Sequence, residues 1–433
     1  MSTPQLSKYF ASKQPSSLRR AQMEFTKRTD GVKAINVSIG NVSLPMHPAM
    51  QERMFHIQNS DSPLAQWIVQ YSQTVWLPET QEAFLHIIAS SGCDTTWLFA
   101  QITDGGSQAM ELLLLWVSDA NDRPIMLIDP AYSNYLAFAS RTSRNVVTLA
   151  RTLDNEGRFL LPNKETIEAF IQEHKPSAIV VIPYDNPTGQ LYNQDDMKMI
   201  AELCVKYNMR MISDEAYREL HYGDGKLVSI RKLNDTEIPG IQWRRISIET
   251  SSKVWNACGL RIGAMITDSA EFHQQCVAEN TTGLCSNIIG QYIFWALAHE
   301  SFEDLHKRYD QQRTYYWNML QDLSDGLKSL LPWIIVSRPD AALYSIMDVR
   351  NIAKPWFDAK AFSLFCAQEW AIDLDGETYT LLVSPMDGFY RAVAWQTNPG
   401  FTQMRVSFVA TPDKMKRVPK LFAELFHLYE QNR

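Results

Sequence analysis

The sequence predicts an α/β fold: a large domain on a doubly wound, mostly parallel sheet, and a smaller α+β domain formed by the N-terminal arm and the C-terminal third. Two observations carry this prediction. Strand-like and helix-like segments alternate from about residue 100 to about residue 270, which is typical of strand–helix–strand units. The strand-like segments are short, continuous apolar runs, as expected for strands that are covered on both faces.

The strand candidates are rich in Ile, Val and Met, and comprise residues 124–128, 145–149, 177–182, 209–213, 245–249 and 263–267. The helical patterns between them cover residues 108–118, 165–174 and 193–206. A further helical stretch is expected over 287–330. The expected domains are an N-terminal arm with part of the small domain (1–45), a large domain (46–300) and a small C-terminal domain (301–433).

Net charge and cysteine spacing limit the kinds of partner and metal site that we expect. The 433 residues carry a net charge of -7 without a block of like charge, which argues against nucleic acid or an anionic membrane surface. The six cysteines form neither a Cys-x-x-Cys pair nor a cluster with zinc spacing, so we expect reduced thiols and no metal site. No signal segment is visible, and no run approaches the ~18 apolar residues of a spanning helix. The expected location is the cytoplasm.

Polar side chains follow four of the predicted strands. They are Tyr132, Asn186, Asp214 and Lys253. Because ligands of open α/β sheets bind beyond the carboxyl ends of the strands, we expect these side chains to line one site. Taken singly, some also suit structural roles: Asn186-Pro-Thr-Gly189 fits a β-turn, and Asp214 fits a helix N-cap.

The segment Asp104-Gly105-Gly106-Ser107 is predicted to begin a helix. Two glycines let backbone N–H groups approach an anion, and a helix N-terminus adds favourable potential. No Gly-Lys-Ser/Thr follows, so this is not a Walker loop. Arg261 could hold a phosphate through two parallel hydrogen bonds; an ion pair within the domain is its alternative role.

The chemistry of these groups suits pyridoxal phosphate (PLP). A lysine amine close to other cations, or out of water, loses its proton and can form a Schiff base with an aldehyde. A carboxylate such as Asp214 beside a pyridine nitrogen keeps the ring protonated and electron-withdrawing. Asn186 and Tyr217 could hydrogen-bond a ring hydroxyl, and Tyr132 could stack on the ring face.

Over nearly its whole length the chain resembles the fold-type I PLP-dependent aminotransferases, class I/II, of the aspartate aminotransferase type. The motifs that carry the resemblance also agree with the family in order and spacing. They are Gly105-Gly-Ser107, Pro130-Ala-Tyr132, Asn186-Pro-Thr-Gly189, Asp214-Glu-Ala-Tyr217, Ser252-Lys253, Arg261-Ile-Gly263 and Met404-Arg405-Val-Ser-Phe.

The resemblance implies a role for each site residue. Lys253, which would form the Schiff base and move the proton, is the implied catalytic group, together with Asp214 and Tyr217. The residues implied to bind the cofactor are Gly105, Gly106, Ser107, Tyr132, Asn186, Asp214, Tyr217, Thr250, Ser252, Lys253, Arg261 and, across a dimer interface, Tyr71. Those implied to bind substrate are Gly40, Asn186 and Arg405, whose guanidinium would hold the α-carboxylate. A homodimer with shared active sites is implied as well.

The implied reaction is ping-pong transamination between an amino acid, with aspartate as the leading candidate, and a 2-oxo acid. Other PLP reactions on this scaffold stay open, such as a carbon–sulfur lyase or a cyclopropane-carboxylate-type synthase. A non-enzymatic PLP-binding module is a third alternative, against which the lack of a helix-turn-helix pattern or basic patch counts. A dicarboxylate substrate would need a second basic group; Arg338 and Arg391 are candidates for it or for surface salt bridges.

Four features depart from the family pattern. They are Trp76-Leu77-Pro78 in place of a glycine turn, Asp185 before Asn186, Ala341-Ala342 in place of a Gly-containing pair, and a long segment over 384–400. We expect these departures to change the substrate pocket and the wall that faces a partner subunit, and to leave the set of cofactor-binding residues intact.

Overall fold

The structure, a computed structural model, describes residues 4–13, 15, 17–60, 62–72, 77–120, 122–391 and 398–432. Trp76 and residues 392–397 of the long segment lie outside the described residues. Contacts divide the chain into two compact units. The first comprises Met1–Ile39, Asp322–Val336 and Ile346–Arg433, and the second comprises Gly40–Gln321 and Ser337–Ser345. The expected domain boundaries stay a prediction; all of 46–300 falls within the second unit.

The strands, in chain order, are β1 Lys33–Asn36, β2 Phe99–Thr103, β3 Ile125–Asp129, β4 Val146–Ala150, β5 Thr152–Leu153, β6 Phe159–Leu160, β7 Ala178–Val181, β8 Arg210–Asp214, β9 Arg245–Thr250, β10 Gly263–Thr267, β11 Ile335–Val336, β12 Tyr344–Asp348, β13 Ile372–Leu374, β14 Glu377–Leu382, β15 Ser384–Pro385 and β16 Gln403–Ser407. The α-helices are α1 Lys8–Ala11, α2 Ser17–Phe25, α3 Pro48–Phe55, α4 Pro78–Ser90, α5 Gly105–Val117, α6 Asn134–Arg141, α7 Lys164–His174, α8 Gln194–Lys206, α9 Ala270–Asn280, α10 Ile288–Trp295, α11 Phe302–Leu330, α12 Ala359–Gln368, α13 Pro412–Met415 and α14 Val418–Gln431.

A seven-stranded sheet, counted over the described residues, forms the centre of the second unit, with the strand order β2-β10-β9-β8-β7-β3-β4. Strands β9, β8, β7, β3 and β4 run parallel to one another, whereas β10 is antiparallel to both β2 and β9. The predicted α/β class with a large, mostly parallel sheet is therefore confirmed. Each of the six strand candidates coincides with a strand of this sheet.

Apolar clusters cover both faces of the sheet. Leu127 of β3 packs in one cluster with Leu113 of α5, whereas its neighbour Met126 packs in another with Ile200 of α8. Successive side chains of a strand point to opposite faces. Burial on both faces thus explains why these strands are continuous apolar runs without polar alternation.

Helix boundaries follow local capping chemistry. α8 begins with a capping box, in which the Asn193 side chain accepts a hydrogen bond from Asp196 N at 2.7 Å and the Asp196 carboxylate accepts one from Asn193 N at 3.4 Å. The stretch expected to be helical over 287–330 is interrupted: a 3-10 turn, Ala296–His299, separates α10 from α11. Ser301 accepts a hydrogen bond from Asp304 N at 3.1 Å, a cap that begins α11 as a new helix.

The first unit combines helices with small sheets. Its described strands form a three-stranded sheet in the order β1-β14-β13 and contribute to a four-stranded sheet in the order β11-β12-β16-β15. The core contains a cluster of aromatic rings, in which Phe362 packs edge-on against Phe422 and Tyr429 at centroid distances of 5.7 and 5.4 Å. Among the described residues, no helix combines the length and apolarity needed to cross a membrane.

Candidate active site at the carboxyl edge of the sheet

Strand register brings several predicted residues to one edge of the sheet. Asp214, the last residue of β8, lies beside Ile248 of β9. Gly263, the first residue of β10, pairs with both Thr103 at the end of β2 and Thr250 at the end of β9. The loops that follow β2, β8 and β9 therefore leave the sheet at the same edge, next to the start of β10.

Glycine creates a close-packed cradle at the start of α5. Gly105 has a φ of +78°, a left-handed value that favours glycine. A Cβ at Gly105 would collide with the Arg261 guanidinium, and a Cβ at Gly263 would lie 2.6 Å from the carbonyl carbon of Gly105. Asp104 forms no capping hydrogen bond with α5 among the described residues; its carboxylate accepts from Asn287 N at 3.1 Å instead. The first N–H groups of α5 thus receive no cap from Asp104, an arrangement suited to an anion.

Hydroxyl and guanidinium donors surround this helix start. The Thr250 and Ser252 hydroxyl oxygens lie 2.8 Å apart, and a Cβ on Gly106 would lie 3.9 Å from the Thr250 Cβ. Arg261 donates to the carbonyl oxygens of Cys258 at 2.9 Å and Asp104 at 3.3 Å. These bonds hold the exposed guanidinium beside the cradle, where it can pair with a phosphate.

Lys253 lies in a turn that its neighbours hold in place. Ser251 N donates to Ile262 O at 2.9 Å, and the Ser251 hydroxyl donates to Ala257 O at 3.1 Å. The half-buried Lys253 side chain donates from Nζ to the Gly40 carbonyl oxygen. The amine therefore extends from a rigid turn towards the residue that the sequence predicts to lie near the substrate.

Asp214 is oriented by two donors. The Tyr135 hydroxyl donates to Asp214 Oδ2, and Ala216 N donates to Oδ1 at 3.2 Å. Burial raises the pKa of the Asp214 carboxyl above its ordinary value, while the hydrogen bond from Tyr135, that from Ala216 and the charge of Lys253 oppose the rise. A half-buried carboxylate fixed in this way suits a ring N–H as its partner.

Two loops that carry ring-binding candidates are joined by a buried ion pair. Arg151 Nη2 lies 3.0 Å from Asp185 Oδ2, and each side chain is 3% exposed. The same Nη2 donates to the Pro130 carbonyl oxygen at 2.7 Å. Pro130 begins the loop of Tyr132, and Asp185 precedes Asn186. The family departure at Asp185 thus has a structural role, because it ties the loop after β3 to the loop after β7.

The aromatic side chains of the site also have defined partners. The Tyr132 hydroxyl accepts a hydrogen bond from Asn134 Nδ2 at 2.7 Å, and its ring packs edge-on against Tyr135 at 5.4 Å. The Tyr217 hydroxyl lies 2.7 Å from the Tyr344 hydroxyl. Tyr217 is close enough to Tyr132 and Asp214 for both to contribute to the rise of its pKa, of which burial is the largest cause.

Comparison with known proteins identifies the family. The family model described as aminotransferase class I and II matches residues 36–411. The chain belongs to this family. Among solved structures, an aspartate aminotransferase single mutant of Thermus thermophilus superposes with a TM-score of 0.79 and 21% identity, covering 98% of this chain and 100% of that chain. The kynurenine aminotransferase of Pyrococcus horikoshii gives the same score and identity, with 98% and 97% coverage. These two similarities show the fold.

Curated relatives align over part of their length. Kynurenine–oxoglutarate transaminase 3 of Homo sapiens is 30% identical over 192 residues, which cover 43% of this chain and 40% of the relative. Aspartate aminotransferase of Musicola paradisiaca is 23% identical over 267 residues, covering 61% of this chain and 62% of the relative. The chain thus spans about 40% to 62% of the length of these relatives.

Class I and II aminotransferases use pyridoxal 5′-phosphate, and the residues present fit this group. At Gly105 and Gly263 the surrounding atoms leave no room for a Cβ. Hydroxyl and guanidinium donors that suit a phosphate lie beside these two glycines. The half-buried Asp214 carboxylate suits the ring nitrogen, and the Lys253 amine suits the aldehyde. Among the described residues, no group of three or more His, Cys, Asp or Glu could hold a metal ion.

Two of the predicted site residues, Tyr71 and Arg405, belong to segments other than the loops after β2, β3, β7, β8 and β9. Tyr71 belongs to the second unit and is 76% exposed. Arg405 lies in β16 of the first unit, where Nη2 donates to Ser38 O at 2.8 Å and the guanidinium lies over the Phe389 ring at 5.0 Å. Of the two arginines considered for a second basic group, Arg338 is in the second unit and Arg391 in the first; both are exposed.

Sequence analysis missed three residues that contact the site: Tyr135, Tyr344 and Arg151. Tyr135 lies three positions after Tyr132 near the start of α6, so helical spacing could have indicated it. Tyr344 and Arg151 follow no local motif. Their partners, Tyr217 and Asp185, lie 127 and 34 positions away in the chain.

Proposed function

We propose that this chain catalyses PLP-dependent transamination between an amino acid and a 2-oxo acid. The observation that carries the proposal is the convergence, at one sheet edge, of the Lys253 amine, the half-buried Asp214 carboxylate and the glycine cradle at the start of α5. Membership of the aminotransferase class I and II family supports it.

The proposed roles follow the local chemistry of each group. When bound, pyridoxal phosphate supplies an aldehyde and an electron-withdrawing ring that stabilises negative charge at the substrate Cα. The backbone N–H groups of Gly105 and Gly106 bind its phosphate, assisted by the donors Ser107, Thr250, Ser252 and Arg261. Asp214 would hold the proton on the ring nitrogen, Asn186 and Tyr217 would hydrogen-bond the ring oxygen, and Tyr132 would stack on the ring face.

Lys253 acts as acid and base in this proposal. Its Nζ would hold the cofactor through the aldehyde, and as a free amine it would take the proton from the substrate Cα and later give it back. The hydrogen bond from Lys253 Nζ to the Gly40 carbonyl oxygen supports this role, because it gives the free amine a fixed resting position at the site.

The decisive experiment is a half-reaction without an acceptor. Loaded with PLP and mixed in turn with each of the twenty amino acids, the protein should convert bound PLP to its pyridoxamine form with its preferred donor, as seen by absorbance. Release of ammonia with recovery of PLP would instead indicate a lyase. This screen also tests aspartate as the donor.

Lys253→Ala tests the assignment of the amine. Borohydride should fix PLP covalently to the wild type and to the matched surface variant Lys226→Ala, but not to Lys253→Ala. Covalent labelling of Lys253→Ala would show that another lysine binds the aldehyde.

Arg405 is our proposed ligand of the substrate α-carboxylate. A planar guanidinium binds a carboxylate through two parallel hydrogen bonds that lysine does not reproduce. Arg405→Leu should raise KM for the amino acid by at least about tenfold, corresponding to the loss of roughly 1.4 kcal/mol of binding, while PLP affinity stays the same. An unchanged KM would assign the carboxylate to another residue.

We further propose a cytoplasmic homodimer in which Tyr71 reaches the partner's cofactor phosphate. Support for the dimer comes from exposed apolar side chains around Tyr71: Trp67, Ile68 and Val69 are 71%, 52% and 60% exposed, and an exposed apolar patch of this kind favours a protein contact. Sedimentation equilibrium should give twice the chain mass, and Tyr71→Phe should weaken PLP binding.

All six cysteines are free thiols, which suits the proposed cytoplasmic location, because the cytoplasm is a reducing compartment. Cell fractionation tests this location.

A further inference from the structure

The hydroxyl of Tyr217, a proposed ring-binding group, is paired with a second buried hydroxyl, that of Tyr344. The hydroxyl oxygens of Tyr217 and Tyr344 are 2.7 Å apart, and the two residues are 4% and 2% exposed. Their rings meet edge to face, with centroids 5.7 Å apart and an interplanar angle of 76°. At this depth bulk water competes poorly, so the hydrogen bond between the two hydroxyls is stronger than a surface one.

Tyr344 is held in this position through its backbone. In the segment before it, Ala341 N donates to Gly189 O and Ala342 N donates to Leu220 O, both at 2.8 Å. The Tyr222 hydroxyl donates to the Ala342 carbonyl oxygen. The Ala341-Ala342 pair, a departure from the family pattern, therefore lies in a segment whose hydrogen bonds fix where the Tyr344 ring enters the site.

Gly40 leaves the space that the Tyr344 hydroxyl occupies. A Cβ at position 40 would collide with the Tyr344 hydroxyl oxygen and would lie 2.9 Å from the Tyr344 Cζ. The carbonyl oxygen of Gly40 also accepts the hydrogen bond from Lys253 Nζ. Gly40 thus lies between the Lys253 amine and the Tyr344 hydroxyl. The hydroxyls of Tyr217 and Tyr344 therefore lie in the same small region of the second unit.

We propose that Tyr344 is a positioning residue: its hydroxyl donates to the Tyr217 oxygen and thereby strengthens the hydrogen bond that Tyr217 donates to the ring oxygen of the cofactor. This inference rests on the proposed function. A hydroxyl that accepts one hydrogen bond becomes a better donor of the next, since each bond polarises its neighbour. A stronger donation to the ring oxygen favours its ionised form, so that the bound cofactor loses its proton at a lower pH.

The direction of the chain of hydrogen bonds follows from the environment of Tyr217. Burial, followed by the neighbouring Tyr344, raises the pKa of the Tyr217 hydroxyl well above its ordinary value. Tyr217 therefore keeps its proton throughout the working pH range and has one hydrogen to give. Because Tyr217 donates this hydrogen to an ionised ring oxygen, the hydrogen bond between the two tyrosines is donated by the Tyr344 hydroxyl.

The test is a pH titration of the visible absorbance of bound PLP, without substrate, in the wild type, Tyr344→Phe, Tyr217→Phe and the double variant. Tyr344→Phe should raise the midpoint by a few tenths of a pH unit, and Tyr217→Phe should raise it further. The double variant should match Tyr217→Phe alone, because Tyr344 acts only through Tyr217. Tyr309→Phe, which removes a buried hydroxyl bonded to Ser90, is the control and should leave the midpoint unchanged.

An unchanged or lowered midpoint in Tyr344→Phe would overturn the inference. So would a Tyr344→Phe substitution that shifts the midpoint equally in the wild type and in Tyr217→Phe. Gly40→Ala gives an independent approach, because its methyl group displaces the Tyr344 hydroxyl without removing it; it too should raise the midpoint, and no rise would count against the inference. A wild type that binds no PLP would contradict the proposed function itself, whereas a wild type that titrates normally beside an unaffected Tyr344→Phe would contradict the role of Tyr344 alone.

Discussion

At the scale of single residues, the site depends on glycines where backbone segments meet. A Cβ at Gly263 would lie 2.6 Å from the Gly105 carbonyl carbon and 2.7 Å from Gly106 N. These are backbone atoms, which cannot rotate away as a side chain can. A larger residue at 263 would therefore push β10 away from the start of α5, where the phosphate is proposed to bind.

Gly263→Ala should consequently lower PLP affinity by at least about tenfold and destabilise the fold by roughly 1 to 3 kcal/mol, the usual range for overpacking. Gly259→Ala is the matched control, since a Cβ there would meet no described heavy atom within 4 Å. Absorbance titration with PLP and urea unfolding measure the two effects. Equal PLP affinities for the two variants would show that the backbone approach at Gly263 does not shape the cradle.

At the scale of elements, the loops after β3 and β7 are coupled by the pair Arg151–Asp185. Thr188 also donates to Asp185 Oδ2 from its hydroxyl, and from its backbone N at 3.2 Å. Burial raises the pKa of the Asp185 carboxyl, while the Arg151 guanidinium acts in the opposite direction. The carboxylate thus organises the turn of Asn186 and, through Arg151, the loop of Tyr132.

Asp185→Ala should destabilise the protein by about 3 to 5 kcal/mol, because it leaves the Arg151 charge buried without this partner. The double variant Asp185→Leu with Arg151→Met removes both charges and should recover part of that stability. Urea unfolding of the wild type, Asp185→Ala, Asp185→Leu, Arg151→Met and the double variant measures the loss and the coupling. If the double variant is no more stable than Asp185→Ala, the buried charge is not the cause of the loss.

Local apolar and helical patterns predicted which segments form strands and helices better than they predicted where the helices begin and end. The strand candidate over 263–267 coincides with β10, Gly263–Thr267, and the helical pattern over 193–206 coincides with α8, which Asn193 caps. The helix expected over 287–330 is interrupted at Ala296–His299, because the Ser301 cap starts a new helix within a continuous helical pattern. α5 begins at Gly105, within the segment 104–107 that is predicted to begin a helix, and three residues before the helical pattern over 108–118.

At the scale of the whole molecule, stability should fall in mild acid because His47 is buried in its neutral form. Its side chain caps α3 by accepting a hydrogen bond from Ala49 N at 3.3 Å, and its ring packs edge-on against Trp255. Burial, followed by the charge of Arg308, lowers the pKa of His47 to about 4, against the opposing effect of Asp304. Between its ordinary value of 6.5 and about 4, the unfolded chain binds a proton at this residue and the folded chain does not.

His47→Asn isolates this effect, because asparagine also caps a helix and does not titrate. The free energy of unfolding of the wild type, relative to that of His47→Asn, should decrease by about 1 to 2 kcal/mol as the pH falls from about 7.5 to about 5. Urea unfolding of both proteins at each pH measures the difference, and shared titrations of other groups cancel. A constant difference between the two proteins would mean that His47 is protonated equally in both states.

The sequence by itself determined the α/β class, the family and the strand ends at which Asp214, Thr250 and Lys253 lie. Apolar periodicity is a local property, and parallel strands direct their carboxyl ends to one edge whatever the remaining chain does. Only the tertiary structure decided which side chains from distant parts of the chain contact the site. Tyr344 meets Tyr217 across 127 positions, and Arg151 meets Asp185 from a different loop. Such pairs arise from packing between segments distant in the chain, so no local pattern encodes them.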